Sequence, residues 1–360
     1  EACLELEKTG CIVGMQDMCG AGLTCATCEM ASRGNSGMEI DLALVPRRAE
    51  GMVPYEVMLS ESQERMLICL KKGTEDIAKK IFEKWDLHAV VIGELTPDGM
   101  LRVKDKGEIV AEIPAKSLAD DAPVYHRPQQ KPAYLETIQN LPDLPAPKDY
   151  NEVLLKLIAS PCIGLKEKVY EHYDHMVGTN TELLPGKGDA AILGIKGTQK
   201  TLAVTTDGNG RYCYLDPYVG GMIAVAEAAR NVVCVGAKPL AITNCLNFGN
   251  PENPEVMWQF QKAVEGMSQA CKIFQTPVTG GNVSFYNETE DLAIYPTPIV
   301  GMLGIIKGQR VEGMGFKDEG DMIVLLGETK EELGGSEYLK LIHGKVAGKS
   351  PQIDLDWEKA

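Results

Sequence analysis

Apolar residues recur along the chain at every second position in some stretches and every three to four positions in others. The alternation of these two periods predicts an α/β layered structure. Residues 1–11 read as the end of a helix, and the run Cys11-Ile12-Val13-Gly14 as the strand that follows it. After a glycine-rich turn, residues 24–32 carry a helical pattern. Residues 62–70 predict a strand. Residues 74–85 predict an amphipathic helix in which Ile77, Ile81 and Trp85 form one buried face. Residues 88–94 are β-rich, and the turn Thr96-Pro97-Asp98-Gly99 leads into a strand at 100–103.

The pattern breaks between residues 116 and 150. Pro123, Pro128, Pro132, Pro142, Pro145 and Pro147 fall within that stretch. Proline fixes φ and removes a backbone donor, which predicts an extended interdomain connector. A second α/β unit follows from about 151 to 312. Residues 202–206 read as a strand, and Asp207-Gly208-Asn209-Gly210 as a tight turn. Residues 220–233 form a small-residue helix with Met222, Val225, Ala226 and Ala229 on one face, ended by Gly236 and Pro239. Residues 254–271 form another helix, capped by Asn253 and opened by Pro254. Its stripe of Met257, Phe260, Val264, Met267 and Cys271 reads as core. A strand at 273–279 then runs into Gly280-Gly281-Asn282. Past about 313 a further unit begins, with a strand at 322–326 and the pair Gly334-Gly335. Both ends read as mid-domain sequence, so the chain is expected to be a piece of a longer one.

Composition narrows the partners. The 360 residues carry a net charge of −15, which disfavours nucleic acid and anionic membranes. A phosphate-bearing ligand therefore needs local compensation from metal ions, backbone N–H groups or a few basic side chains. No apolar run reaches the roughly 18 residues that span a bilayer, and the first residues do not read as a signal peptide. The eleven cysteines are odd in number and irregularly spaced, as in a reducing cytoplasm without disulfides. Cys19, Cys25 and Cys28 cluster, but lack a fourth ligand at zinc-like spacing, so packing is the expected role.

Three segments carry candidate chemistry. In Gly14-Met15-Gln16-Asp17-Met18-Cys19-Gly20-Ala21-Gly22, Asp17 offers a hard carboxylate oxygen suited to magnesium. It equally suits a residue that caps the next helix and complements its dipole. In Ser60-Glu61-Ser62-Gln63-Glu64-Arg65, successive polar side chains suit substrate hydroxyl, amide or phosphate groups, or else a helix cap with a capping-box glutamate. In Thr279-Gly280-Gly281-Asn282-Val283-Ser284, paired glycines let backbone approach an anion, and Asn282 and Ser284 add side-chain oxygens; an ordinary β-turn reads the same way. No Walker-A, dinucleotide-binding or nucleophile-elbow pattern is present. His172 and His175 flank Tyr173-Asp174 and read as a polar strand edge.

Together these segments are similar to the formylglycinamidine ribonucleotide synthetase family, in its stand-alone bacterial form. The matching runs are GMQDMCGAGLT (14–24), GMVPYEVMLSESQERML (51–67), YDHMVGTNT (173–181), TTDGNGRYCYLDPYVGG (205–221), NCLNFGNPENPEVMW (244–258), TPVTGGNVSFYNET (276–289) and LGGSEYL (333–339). They span almost the whole chain in order. The resemblance implies an α/β (α+β) fold of the aminoimidazole ribonucleotide synthetase type, built as tandem domains and only partly present here. Residues 1–115 would be the C-terminal part of the first half. Residues 116–150 would be a connector, 151–312 the barrel-forming domain of the second half, and 313–360 the start of its last domain.

The implied activity is that of a ligase of purine biosynthesis. Formylglycinamide ribonucleotide, ATP and glutamine-derived ammonia give formylglycinamidine ribonucleotide, ADP and phosphate. The implied partners are a glutaminase subunit and a small accessory subunit. The implied magnesium ligands are Asp17 and Asn282. Glu61, Ser62, Gln63 and Ser284 would bind substrate, and Asn244 and Gly281 would contact ATP. Asn244 stands where the family usually has aspartate, and Cys19-Gly20 where it usually has Gly-Ala. Asp207 is expected to be structural. No residue here matches the family's catalytic histidines, so the chain alone is expected to lack synthetase activity. The alternative is a non-catalytic scaffold that binds the glutaminase and accessory subunits.

Overall fold

The computed structural model describes every residue except Cys19, Gln63, Pro142, Asp291, Gln309 and Arg310. The chain forms two compact units, Glu1–Tyr125 and His126–Ala360.

The first unit begins with α1 (Ala2–Glu7), β1 (Ile12–Asp17), α2 (Gly22–Arg33) and β2 (Gly37–Asp41), then α3 (Pro54–Leu59), β3 (Met66–Leu70) and α4 (Glu75–Lys84). The strands β4 (Gly93–Thr96), β5 (Met100–Asp105) and β6 (Glu108–Pro114) and the short α5 (Ala115–Ala119) complete it. One sheet has the order β4-β2-β5-β6, and β1 pairs with β3 in a separate antiparallel ribbon. Burial of Leu23, Ala26 and Ala31 from α2 against Met38, Ile40, Leu101 and Val103 makes the main core. A smaller core joins Leu6, Cys11 and Ala78, with Ile81 and Phe82 packed on it.

Two expectations for this unit need correction. The buried face of α4 is not Ile77, Ile81 and Trp85, because Ile77 and Trp85 are 43% and 41% exposed. The small core beneath α4 takes only Ala78, Ile81 and Phe82, while the Trp85 indole donates outward to Glu5 (3.0 Å). The strand expected at 88–94 starts only at Gly93. Its partner β2 ends at Asp41, whose amide donates to the Ile92 carbonyl (2.8 Å), so among the described residues no strand continues beside the earlier ones.

The second unit opens with three helices, α6 (Leu135–Ile138), α7 (Tyr150–Ala159) and α8 (Glu167–Tyr170). Residues just before and within α6 already pack here. The Tyr134 ring stacks on Tyr214 with centroids 4.4 Å apart, and its hydroxyl donates to the Tyr214 carbonyl (2.9 Å). The strands β7 (Thr181–Leu183), β8 (Ala191–Gly194), β9 (Lys200–Asp207), β10 (Lys238–Asn247), β11 (Val278–Ser284) and β14 (Thr297–Lys307) form one sheet, ordered β11-β10-β14-β9-β8-β7. Between them lie α9 (Gly210–Leu215), α10 (Pro217–Cys234), α11 (Pro254–Phe274) and a two-residue ribbon of β12 (Glu288–Thr289) and β13 (Leu292–Ala293). Two further helices, α12 (Glu337–His343) and α13 (Leu355–Lys359), follow the sheet.

Local chemistry explains the helix starts. Asn209, Asp216 and Asn253 each accept amide hydrogens of the first turn of α9, α10 and α11, with Pro217 and Pro254 at the positions where no donor is needed. The buried side chains of α10 (Ala224, Val225, Ala228, Val232) and α11 (Ala263, Met267, Ala270) cover Ile242, Leu246, Val300 and Met302. β14 alternates half-buried and buried residues along its length, so the helices cover one face of the sheet.

Here too some expected strands differ. Ile273 and Phe274 stay helical because they pack on this core. The helix ends at Gln275, which takes a left-handed conformation, and the strand starts at Val278. Met322 to Leu326 form no strand among the described residues. No described strand runs beside them to complete a ladder, and Met322 is 88% exposed. His172 and His175 sit in exposed turns after α8, not on a strand.

Candidate functional site

In the first unit the ribbon brings two of the singled-out segments together. Asp17 is the last residue of β1 and lies opposite Met66, so it stands beside the loop that enters β3. The Met18 amide donates to the Arg65 carbonyl (3.1 Å). Arg65 folds its guanidinium back over that loop, donating to the carbonyls of Ser60 and of Ser62 (3.4 Å for the latter). From the other side the Thr24 hydroxyl donates to the Met58 carbonyl (3.1 Å). Between them, a Cβ on Gly22 would lie 2.3 Å from the Ser60 carbonyl oxygen, and Gly22 has φ +55°, so only glycine lets the two loops touch.

Asp17, Glu61 and Ser62 are exposed on this surface, while Gln63 lies outside the described residues, as does Cys19. Among the described residues no side chain donates to the Asp17 carboxylate. Neither helix-cap reading holds. Ala21 precedes α2 without a side-chain cap, and residues 60–65 lead into a strand after Ser60 has ended α3. The neighbouring cysteines pack. Cys28 is buried, which pushes its thiol above its usual range, and its Sγ–H donates to the Cys25 carbonyl (3.4 Å). No group of three or more His, Cys, Asp or Glu that could hold a metal ion occurs among the described residues.

In the second unit the candidates lie on strands. The glycine pair is neither a phosphate loop nor a turn; it lies within β11, parallel to β10 at the sheet edge. Asn244 pairs with Gly281, Cys245 with Asn282 and Asn247 with Ser284. A Cβ on Gly281 would fall 2.2 Å from the Asn244 Oδ1 and 2.5 Å from its carbonyl oxygen. The missing side chain is thus what admits Asn244. Two hydroxyls clamp the strands together: Thr243 donates to the Gly280 carbonyl (3.0 Å) and Thr279 to the Ile242 carbonyl (3.1 Å).

Side chains alternate across a sheet, so this register splits the four candidates. Asn244 and Gly281 share the helix-covered face with buried Ile242 and Leu246. Asn282 and Ser284 share the opposite face with Cys245 and Asn247. The row that pairs Gly281 with Asn244 continues through Val300 to Asp207 at the end of β9. Asp207 accepts from Asn231 Nδ2 (2.7 Å) and from the Thr205 hydroxyl (2.8 Å). Burial nevertheless holds its carboxyl above the usual carboxylate range, and burial does the same to Glu227 on α10. Thr243, Asn247, Asn231 and Glu227 were not singled out from sequence. Each matters through a partner on another element, for which a single sequence carries no signal.

The chain matches two family models, AIR synthase related protein, C-terminal domain, over residues 1–106, and AIR synthase related protein, N-terminal domain, over residues 187–306. It is 61% identical over its full length to phosphoribosylformylglycinamidine synthase subunit PurL of Moorella thermoacetica and 57% identical to that of Caldanaerobacter subterraneus subsp. tengcongensis, covering 49% of each. The chain thus spans about half the length of these curated relatives. Among solved structures, Thermotoga maritima PurL complexed with ATP aligns over 86% of this chain and 49% of its own length, with TM-score 0.67 and 32% identity. The same protein complexed with FGAR aligns over 86% and 48%, with TM-score 0.68 and 33% identity. PurLQS from Thermotoga maritima aligns over 86% and 49%, with TM-score 0.69 and 33% identity.

Proposed function

The chain belongs to the family of phosphoribosylformylglycinamidine synthase PurL subunits, and from that premise we propose that it serves the ATP-dependent conversion of formylglycinamide ribonucleotide to formylglycinamidine ribonucleotide. An amide oxygen is a poor leaving group because it would depart as oxide or hydroxide, and electron donation from nitrogen makes the carbon a weak electrophile. Transfer of the γ-phosphoryl group of ATP to that oxygen releases ADP. Ammonia then forms the new carbon–nitrogen bond as the carbon–oxygen bond breaks and phosphate departs. Such chemistry depends mainly on positioning and on charge compensation.

In this reading Asn244 and Gly281 take the nucleotide. The Asn244 side chain, lying against the bare Gly281 backbone, offers a neutral acceptor where a carboxylate is usual. Glu61, Ser62, Gln63 and Ser284 hold the ribonucleotide substrate through hydroxyl, amide and carboxylate groups. Asp17 and Asn282 would hold magnesium. Each presents an exposed side-chain oxygen, the donor chemistry that ion takes. When bound, magnesium would supply charge compensation at the phosphates.

The domain layout proposed is 1–115, a connector at 116–150, 151–312 and 313–360, with a glutaminase subunit and a small accessory subunit as partners. PurLQS from Thermotoga maritima supports the assembly, and the structures of that PurL with ATP and with FGAR support the two ligands.

The observation that carries the proposal is the pairing of Asn244 with Gly281, next to Asn282 and Ser284, within a chain that matches PurL relatives along its whole length. Calorimetric titration tests it. Magnesium–ATP and formylglycinamide ribonucleotide should each bind the chain, with nucleotide binding weakened about tenfold or more in Asn282→Ala. Absence of binding by both ligands would overturn it.

A further inference from the structure

We propose that Asn287, in the turn after β11, is a positioning residue for the Ser284 hydroxyl; this rests on the reading that Ser284 contacts the ribonucleotide substrate. Ser284 ends the edge strand and is only half-buried. A serine there has three staggered side-chain positions open to it. The amide of Asn287 removes that freedom. Its Nδ2 lies 2.8 Å from the Ser284 carbonyl oxygen, 3.0 Å from the Phe248 carbonyl oxygen and 3.0 Å from the Ser284 Oγ. Two of those partners are carbonyls, which only accept, so the amide atom between them is the nitrogen and its orientation is settled. The Ser284 hydroxyl in turn lies 3.3 Å from Asn287 Oδ1 as a donor.

One side chain therefore holds the serine by its backbone and its hydroxyl at once. The residue is anchored to the neighbouring strand's exit by its backbone as well, because the Asn287 backbone N–H donates to the carbonyl of Phe248 (3.1 Å), whose ring is buried in the core. Phe248 follows Asn247, the partner of Ser284 in the sheet, so the brace ties the hydroxyl to the core on which the two strands rest. A turn-closing role alone would need only the backbone contacts. The contacts to Oγ add control of a group that faces outward.

The test uses the full 360-residue chain and the affinity for formylglycinamide ribonucleotide measured by titration calorimetry. Ser284→Ala and Asn287→Ala should each weaken binding about tenfold, the scale of one lost hydrogen bond. The double variant should bind no more weakly than Ser284→Ala. A double variant weakened by the product of the two single effects, or Asn287→Ala with unchanged affinity, overturns the positioning role and leaves the Ser284 contact standing. Unchanged affinity in Ser284→Ala overturns that contact and the proposal with it. Should Asn287→Ala fail to fold, Asn287→Gln keeps both donors on a longer stem. It is expected to fold and to bind more weakly, and wild-type affinity in it overturns the proposal.

Discussion

In the first unit the candidate residues ride on loops held together through backbone carbonyls, whereas in the second they ride on two paired strands. Asp17, Glu61 and Ser62 are placed by what Arg65, Thr24 and Gly22 do to the chain around them. Asn244, Gly281, Asn282 and Ser284 are placed first by sheet register, with side-chain contacts such as that of Asn287 to Ser284 added to it. Loop placement depends on a few contacts that one substitution can remove. Register is shared over many bonds, so a single change there should disturb the ligand more than the fold.

That contrast is sharpest at the two glycines. Gly22→Ala should have the largest effect on stability. It places a methyl group against a fixed carbonyl and forces a left-handed conformation on alanine, a combined cost of about 2–4 kcal/mol. Thermal unfolding of the first unit should move down accordingly, and an unchanged midpoint would show that the loops are not held through this contact. Gly281→Ala should cost about 2–3 kcal/mol, because the Asn244 side chain can swing aside but the Asn244 carbonyl oxygen, 2.5 Å from the added Cβ, is backbone and must be displaced. Its larger effect should be on magnesium–ATP affinity, read by calorimetry. A variant that loses stability but binds nucleotide normally would break the comparison.

Locally determined elements are legible in the sequence, and those set by a distant partner are not. The helices α10 and α11 were legible because their caps, their opening prolines and their apolar stripes are all local. The strand at 322–326 was expected from an apolar run alone, but a strand exists only where a partner lies alongside. The glycine pair at 280–281 reads as a loop because glycine usually marks one. Its place inside β11 is set by Asn244, 37 residues earlier, for which sequence spacing gives no cue. The closeness of Asp17 to residues 60–65 has the same origin, since the β1–β3 register joins segments far apart in the chain.

Smaller effects should follow at the two aspartates. Asp207 is half-buried, and desolvation holds its carboxyl above the usual range. Ionisation therefore costs folding free energy above the folded pKa, and the cost vanishes below the unfolded one. Asp207→Asn keeps an acceptor for Asn231 and should change stability at neutral pH by no more than about 0.5 kcal/mol, towards greater stability. The wild-type chain should gain on this variant as the pH falls through the folded pKa towards about 4, near the unfolded value. A gap that widens in the variant's favour on acidification would contradict the burial argument. Asp17→Asn should leave the midpoint of the free chain within about 0.5 kcal/mol of wild type, because its carboxylate is exposed. It should still weaken magnesium-dependent nucleotide binding, and a fall in stability without loss of binding would make Asp17 structural.

Hydrogen–deuterium exchange with and without magnesium–ATP reads whether the strands that pair Asn244 with Gly281 take the nucleotide. Exchange should slow at residues 243–247 and 278–284 on nucleotide addition, with no such slowing in Gly281→Ala. Unchanged exchange along both strands at saturating nucleotide, or equal slowing in that variant, would contradict nucleotide binding at this pairing.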